Sequence, residues 1–293
     1  MKVVVLLLWA TAASAAPLER FFIMGDGRLS LVNAHTDARV DVRYRREDGT
    51  YDDAALASIR RAFRSTGDDS EGKASLRLIE ILSYLQKSTK LRPLTVVSGY
   101  RSPEYNEDLR AKGVRAAGGS LHTEGLAADI AFPRPQLRSL WMKLRAMDCC
   151  GAGYYAKEGF LHVDVGRPRF WEPQTSRVEE NLSAGNAKLF ARTEFDRYEK
   201  GQPLVVTVHA LTVPPVWFRE DARLVAANGR SLPAIVQGAS ELRDGCAEVP
   251  VAGERLTLRG TDTAVRGRIV LAVCDPRPAR TPDEIETNVV EVP

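Results

Sequence analysis

SLHTEGLAADI (residues 120–130) carries one of only four histidines in the chain, His122, seven residues ahead of Asp129. Glycine and alanine fill much of the interval. AADIAF reads as a short buried strand, so His122 sits in the loop leading to it and Asp129 projects from the strand itself. Gly125, Ala127 and Ala128 let the chain turn from loop to strand without filling the space between the two side chains. A catalytic metal centre commonly takes three protein ligands from imidazole and carboxylate groups and keeps one position open. His122 and Asp129 supply two candidates.

The third comes from FLHVDVG (residues 160–166), a predicted strand. Residues i and i+2 of a strand share a face, so His162 and Asp164 project together while Leu161, Val163 and Val165 face the core. If His162 is a ligand, Asp164 lies within reach of the metal's water, as a general base or as a carboxylate orienting the ligand. The remaining histidines, His35 and His209, have no carboxylate pattern beside them. SGYRSPEYN (residues 98–106) places Arg101 just past the end of the predicted strand LTVVS. There a guanidinium can stabilise a developing oxyanion or pin a substrate carboxylate through two parallel hydrogen bonds.

Around these motifs the periodicity predicts an α+β fold. A hairpin region spans residues 21–44, broken by Gly25-Asp26-Gly27. Helical spacing covers 52–65, and 73–87 with Leu76, Ile79, Leu82 and Leu85 every three residues. A strand follows at 94–98, a short helix at 104–112, strands at 127–132, 153–155 and 160–165, and a helix at 136–147. Polar, strand-poor sequence at 174–190 reads as a linker. From 191 to 293 short alternating runs separated by Gly, Pro and Asp predict a β-sandwich-like domain. Its last stretch, 277–293, reads as either a final strand or a loose tail. The Trp217-Phe218 pair reads as buried packing.

The chain has 293 residues, 44% hydrophobic and 27% charged, with a net charge of +3. Basic and acidic residues are interleaved, which gives no argument for nucleic acid. MKVVVLLLWATAASAAP (residues 1–17) has the lysine, the short apolar run and the Ala-Ser-Ala pattern of an export signal cleaved after Ala15. Nothing later reads as a membrane span. Export permits disulfides. Cys246 and Cys274, both in the β-rich tail, are the natural pair. Cys149 and Cys150 read as buried thiols, since adjacent cysteines close a strained ring.

SGYRS, SLHTEGLAADI and GYYAKEGFLHVDVG occur in the order that resembles the M15-type zinc peptidases, in particular the exported DUF882/YcbK-like branch of murein endopeptidases. Ser120, His122, Gly125, Ala127 and Asp129 fill every fixed position of that family's S-x-H-x-x-G-x-A-x-D motif. The resemblance runs over residues 25–171. It implies a metallopeptidase domain of the hedgehog and D-Ala-D-Ala peptidase type at 16–173, and one zinc held by His122, Asp129 and His162. The family's arginine after a strand matches Arg101, and the resemblance implies peptidoglycan stem peptides or cross-links as substrate in the periplasm; Arg101 and Asp164 are the expected catalytic groups, and Ser120 and Tyr100 the expected substrate-binding residues. Carboxypeptidase action on a terminal D-alanine, and a non-catalytic wall-binding role, stay open. One departure concerns the base: several members carry an acidic residue three positions before the last ligand, where this chain has Gly159. Glu158 is the alternative candidate.

Overall fold

Helix boundaries follow local chemistry. Helix α1 (Asp53–Ala62) starts where the Asp52 side chain accepts from the Ala55 amide, and buries Leu56, Ile59 and Ala62 on one face. Helix α2 (Leu76–Thr89) is capped by Ser75 and stops at Lys90 in the left-handed conformation, φ 60°. Helix α3 (Pro103–Ala111) begins with proline in its first turn behind a Ser102 cap. Helix α4 (Arg134–Met147) buries Leu137, Leu140, Trp141 and Leu144. The computed structural model describes residues 18–65, 71–113, 119–175, 184–237 and 242–293. The expected export signal and residues 176–183 of the expected linker lie outside these.

Seven strands form one sheet: β1 (Arg28–Asn33), β2 (Arg39–Arg43), β3 (Leu94–Ser98), β4 (Ala127–Ala131), β5 (Gly151–Tyr155), β6 (Phe160–Asp164) and β7 (Arg169–Trp171). Their spatial order is β2-β1-β3-β4-β6-β5-β7. The β1–β3 and β5–β7 pairs are parallel and the others antiparallel. Helices α1 and α2 contact β1, and α4 contacts β5 and β6. Ile59, Leu78, Ile79, Leu82 and Leu85 are completely buried. Each such side chain contributes about 1.5–3 kcal/mol of transfer free energy. A carboxylate, Glu80, is buried among them. It is satisfied by Tyr44 Oη at 2.8 Å, Arg45 Nε at 2.9 Å and the Gly25 amide at 3.1 Å.

The tail forms three further sheets, one of three strands and two of four. They surround a second hydrophobic core that includes Leu204, Val206, Phe218, Leu256, Ile269 and Val290. Strand formation begins at Phe190, one residue before the expected boundary. The last stretch is a strand, Glu284–Val292, paired antiparallel with Val265–Ala272. Phe218 is buried as expected, whereas Trp217 is half-buried under the Arg243 guanidinium. Cys246 and Cys274 are bridged. Both flank the strand Val216–Arg219: Cys246 pairs with Arg219, and the Cys274 amide donates to the Trp217 carbonyl.

The expectation for the adjacent cysteines is corrected. Cys149 and Cys150 are joined in a vicinal bridge rather than left as thiols. They lie in the tight turn where α4 ends at Asp148, φ 46°, and β5 begins, which holds both side chains together. Among the described residues no helix is long and apolar enough to cross a membrane.

Candidate metal centre

Strand register assembles the site. In the antiparallel β4–β6 pair Asp129 stands directly opposite His162. Ser98 of β3 faces Asp129 from the other side. Opposite His162 on β5 is Gly153, and beyond it Trp171 on β7. Cross-strand partners share a face, so Ser98, Asp129, His162, Gly153 and Trp171 form one row. Gly153 leaves a gap in it: a Cβ there would lie 2.7 Å from the Trp171 ring. Through that gap the indole approaches His162, ring centroids 5.1 Å apart.

The neighbouring row repeats the device. Asp164 faces Gly151, and Gly151 faces Arg169. A Cβ on Gly151 would lie 2.3 Å from Asp164 Oδ2. Its absence lets Arg169 Nη2 reach Asp164 Oδ2 at 2.9 Å. The period-two patterns Gly151-x-Gly153, His162-x-Asp164 and Arg169-x-Trp171 are visible in the sequence. Their alignment is not, because it depends on register.

His122 enters from a short 3₁₀ turn, Leu121–Glu124. Gly125 ends that turn at φ 70°, with the Lys73 backbone 2.7 Å from where a Cβ would be. The glycine is therefore required by backbone conformation and by close approach of Lys73, rather than by space between the ligands. His122 Nδ1 donates to the Gly99 carbonyl at 2.7 Å, which leaves Nε2 as the lone-pair nitrogen. Nε2 lies 3.2 Å from His162 Nδ1 and 3.6 Å from Asp129 Oδ1, and His162 Nδ1 lies 2.9 Å from the same oxygen. Three donor atoms of the kinds that bind a divalent cation thus converge within 4.8 Å.

The other side of the His162 ring decides the role of Asp164. Its Oδ2 lies 3.0 Å from His162 Nε2, on the nitrogen away from the cluster. Oδ1 accepts from the Gly166 amide at 2.8 Å, and the side chain is completely buried. The carboxylate thus stands behind the imidazole, on the side away from the converging atoms, a position suited to the second of the two roles the strand periodicity allows. Glu158, the alternative, is exposed in the turn between β5 and β6. Gly159 in that turn has φ 84°, a conformation that favours glycine.

Arg101 joins the cluster. Its Nη2 lies 3.5 Å from Asp129 Oδ2, its Nε donates to Ser98 Oγ at 2.9 Å, and its amide to the His122 carbonyl at 3.3 Å. It also lines a cavity of about 400 Å³ together with His35, Arg64, Ser65, Ser98 and Tyr105. The two substrate-binding expectations fare differently from the ligands. Tyr100 is 4% exposed and belongs to the hydrophobic core. Ser120 is buried at the entry to the 3₁₀ turn, its carbonyl accepting from Thr123 N at 3.0 Å and Thr123 Oγ1 at 2.7 Å. His209, isolated in the sequence, lies against Glu124 of this turn, its Nδ1 2.7 Å from the carboxylate.

Burial opposes charge throughout the cluster, and the partners decide the outcome. For His162, hydrogen bonds to Asp129 and Asp164 and their charges override burial and push the imidazole up to about 9. Burial lowers His122 despite Asp129. Asp129 is held well below the usual carboxylate range, against burial, by His122 and His162. Asp164 is likewise held down, by Arg169 and His162. Metal-free protein at neutral pH therefore carries an imidazolium between two carboxylates. A cation must displace the Nδ1 proton, so its apparent affinity rises about tenfold per pH unit up to about pH 9. Chelator-buffered titrations at pH 6, 7 and 8 measure this slope. A flat profile rejects the proton competition.

The chain matches known proteins over the segment that builds this centre. The Peptidase_M15_2 family profile, described as peptidoglycan L,D-endopeptidase MepK, matches residues 24–171. The peptidoglycan L,D-endopeptidase MepK of Escherichia coli K12 is 30% identical over 166 residues, 55% of this chain and 91% of that protein. The probable peptidoglycan L,D-endopeptidase MepK of Haemophilus influenzae is 26% identical over 146 residues, 49% of this chain and 78% of that protein. No solved structure gives a significant match. All seven strands of the first sheet and all three converging donors fall within the matched residues, and the chain belongs to the M15_2 peptidase family.

Proposed function

We propose that this protein is a zinc-dependent peptidase that hydrolyses peptide bonds in peptidoglycan, as an endopeptidase on cross-links. One observation carries the reading beyond family membership: three donor atoms converge while the outward nitrogen of each imidazole is already engaged, His122 Nδ1 by Gly99 O and His162 Nε2 by Asp164. Paired in this way, His122 presents a lone pair inward and His162 does so once its Nδ1 proton is displaced, the arrangement of a ligand set. His122, Asp129 and His162 would hold zinc, which supplies Lewis acidity to the scissile carbonyl. Arg101 adds a fixed guanidinium beside the cluster and within the cavity, where it binds an anionic group of the substrate or reaction centre. Asp164 and Arg169 hold His162 in position, and the Trp171 indole packs against the ring.

We take residues 1–15 as an export signal to the periplasm, 16–173 as the peptidase unit, 174–190 as a connection and 191–293 as a β-sandwich-like unit. Purified protein incubated with defined muropeptides, with and without chelator, tests the function. Cleavage of cross-linked dimers, abolished by chelation and seen by mass, is the expected result. Chelator-insensitive cleavage removes the metal from the reading. Release of a terminal residue alone makes the enzyme a carboxypeptidase.

Asp164→Asn tests the positioning role. The variant is expected to bind metal about 10–100-fold more weakly and to recover turnover when metal is in excess. A loss of about 10²–10⁴-fold that persists at saturating metal would return Asp164 to the role of base.

A further inference from the structure

The β-rich tail holds the metal-binding turn directly. Glu124, two residues beyond His122, ends the 3₁₀ turn with both carboxylate oxygens occupied from the tail. One lies 2.7 Å from His209 Nδ1 and the other accepts from the Ala210 amide at 2.9 Å. His209 is buried, and the Phe190 ring lies tilted against its imidazole, centroids 5.3 Å apart. Phe190 and Ala210 themselves bury into the core of the seven-stranded sheet unit rather than the tail's own core.

A second contact falls at the same end of the β4–β6 pair, on the neighbouring strand. Arg192 Nε donates to the Val165 carbonyl at 2.8 Å, and its Nη2 to the Gly166 carbonyl. Gly166 in turn donates to Asp164, and the Val165 amide donates to the Leu126 carbonyl at 2.9 Å. The His122 turn and the end of the His162 strand are thus joined to each other, and the tail grips both. The family profile ends at residue 171. The 166 matched residues are 91% of the Escherichia coli relative, which is therefore only about 182 residues long. The matched family segment contains neither Arg192 nor His209.

We propose that the tail is a positioning element for the metal centre. His209 acts through Glu124 on His122, and Arg192 acts through Gly166 on Asp164 and so on His162. Hydrogen-bonded supports one step removed from ligands commonly change metal affinity by about 10–100-fold. The proposal rests on the metal reading above, and its test separates the two.

Full-length His209→Ala, His209→Asn and Arg192→Gln would be compared with wild type. The readouts are amide exchange of residues 121–126, zinc retention against a chelator, kcat and KM on one muropeptide, and thermal unfolding. His209→Ala is expected to speed exchange at 121–126 and weaken zinc at least about tenfold. It lowers kcat with little change in KM, the pattern of a lost transition-state interaction. The amide of His209→Asn can donate from about the position of Nδ1, so this variant restores exchange and zinc retention. Arg192→Gln weakens zinc in the same direction through Gly166 and Asp164, and it carries the test if His209→Ala does not fold. Wild-type exchange and zinc retention in His209→Ala overturn the proposal. So does an equal loss in the Ala and Asn variants that merely tracks melting temperature. If wild type itself retains no zinc, the metal reading fails, and the exchange experiment still decides whether the tail holds the turn.

Discussion

Replacing His162 by alanine is expected to give a folded protein that retains no zinc and has lost turnover by roughly 10³-fold or more. The magnitude follows from the several kcal/mol that a Lewis acid contributes to charge developing on a carbonyl oxygen. Folding survives because each carboxylate left behind keeps another partner. Asp129 retains His122 and Arg101, and Asp164 retains Arg169 and the Gly166 amide. Stability nonetheless falls and changes its pH dependence. The folded-state pKa of His162 is raised to about 9. In metal-free wild type its contribution is therefore fully present below the unfolded value of about 6.5 and is lost as pH rises toward 9. The variant lacks that slope. Elemental analysis, turnover and melting at pH 6 and 9 check the three parts. Full zinc content in His162→Ala would remove the residue from the ligand set.

Arg101→Ala is expected to lower kcat/KM by about 10²–10³-fold while leaving zinc in place. The side chain touches Asp129 Oδ2 at 3.5 Å but contributes no donor to the converging set. The division of the loss identifies its role. A fall in kcat assigns Arg101 to charge that develops during reaction, and a rise in KM at constant kcat assigns it to a carboxylate of the bound substrate. Arg101→Lys keeps the charge and loses the fork, so it rescues the first role better than the second. Near-normal kcat/KM in Arg101→Ala excludes both.

Much of this site was legible along the chain because its decisive feature is local. His162 and Asp164 share a face by strand periodicity. The 3₁₀ turn that presents His122 ends at a glycine that the backbone requires, and each helix of the first unit lies within a few residues of its predicted position. The bridge between Cys246 and Cys274 could be anticipated because the tail holds only those two cysteines. The strand face and the helix positions depend on neighbours in sequence, where spacing fixes direction; the bridge follows from the count of cysteines in the tail.

What spacing leaves open is which atom faces which. Asp164 stands behind His162 because Nδ1, not Nε2, turns toward Asp129, and Arg169, reaching across Gly151 from another strand, pairs with the same carboxylate. Glycine at 151 and 153 has no chemistry of its own, and its meaning appears only once β5 is set in register between β6 and β7. Glu124 and His209 are 85 residues apart. Sequence by itself determined the residue types that can bind a metal and the elements that carry them. Tertiary structure alone decided their second contacts, because hydrogen-bond partners across a sheet, or between the sheet unit and the tail, are set by register and packing rather than by position along the chain.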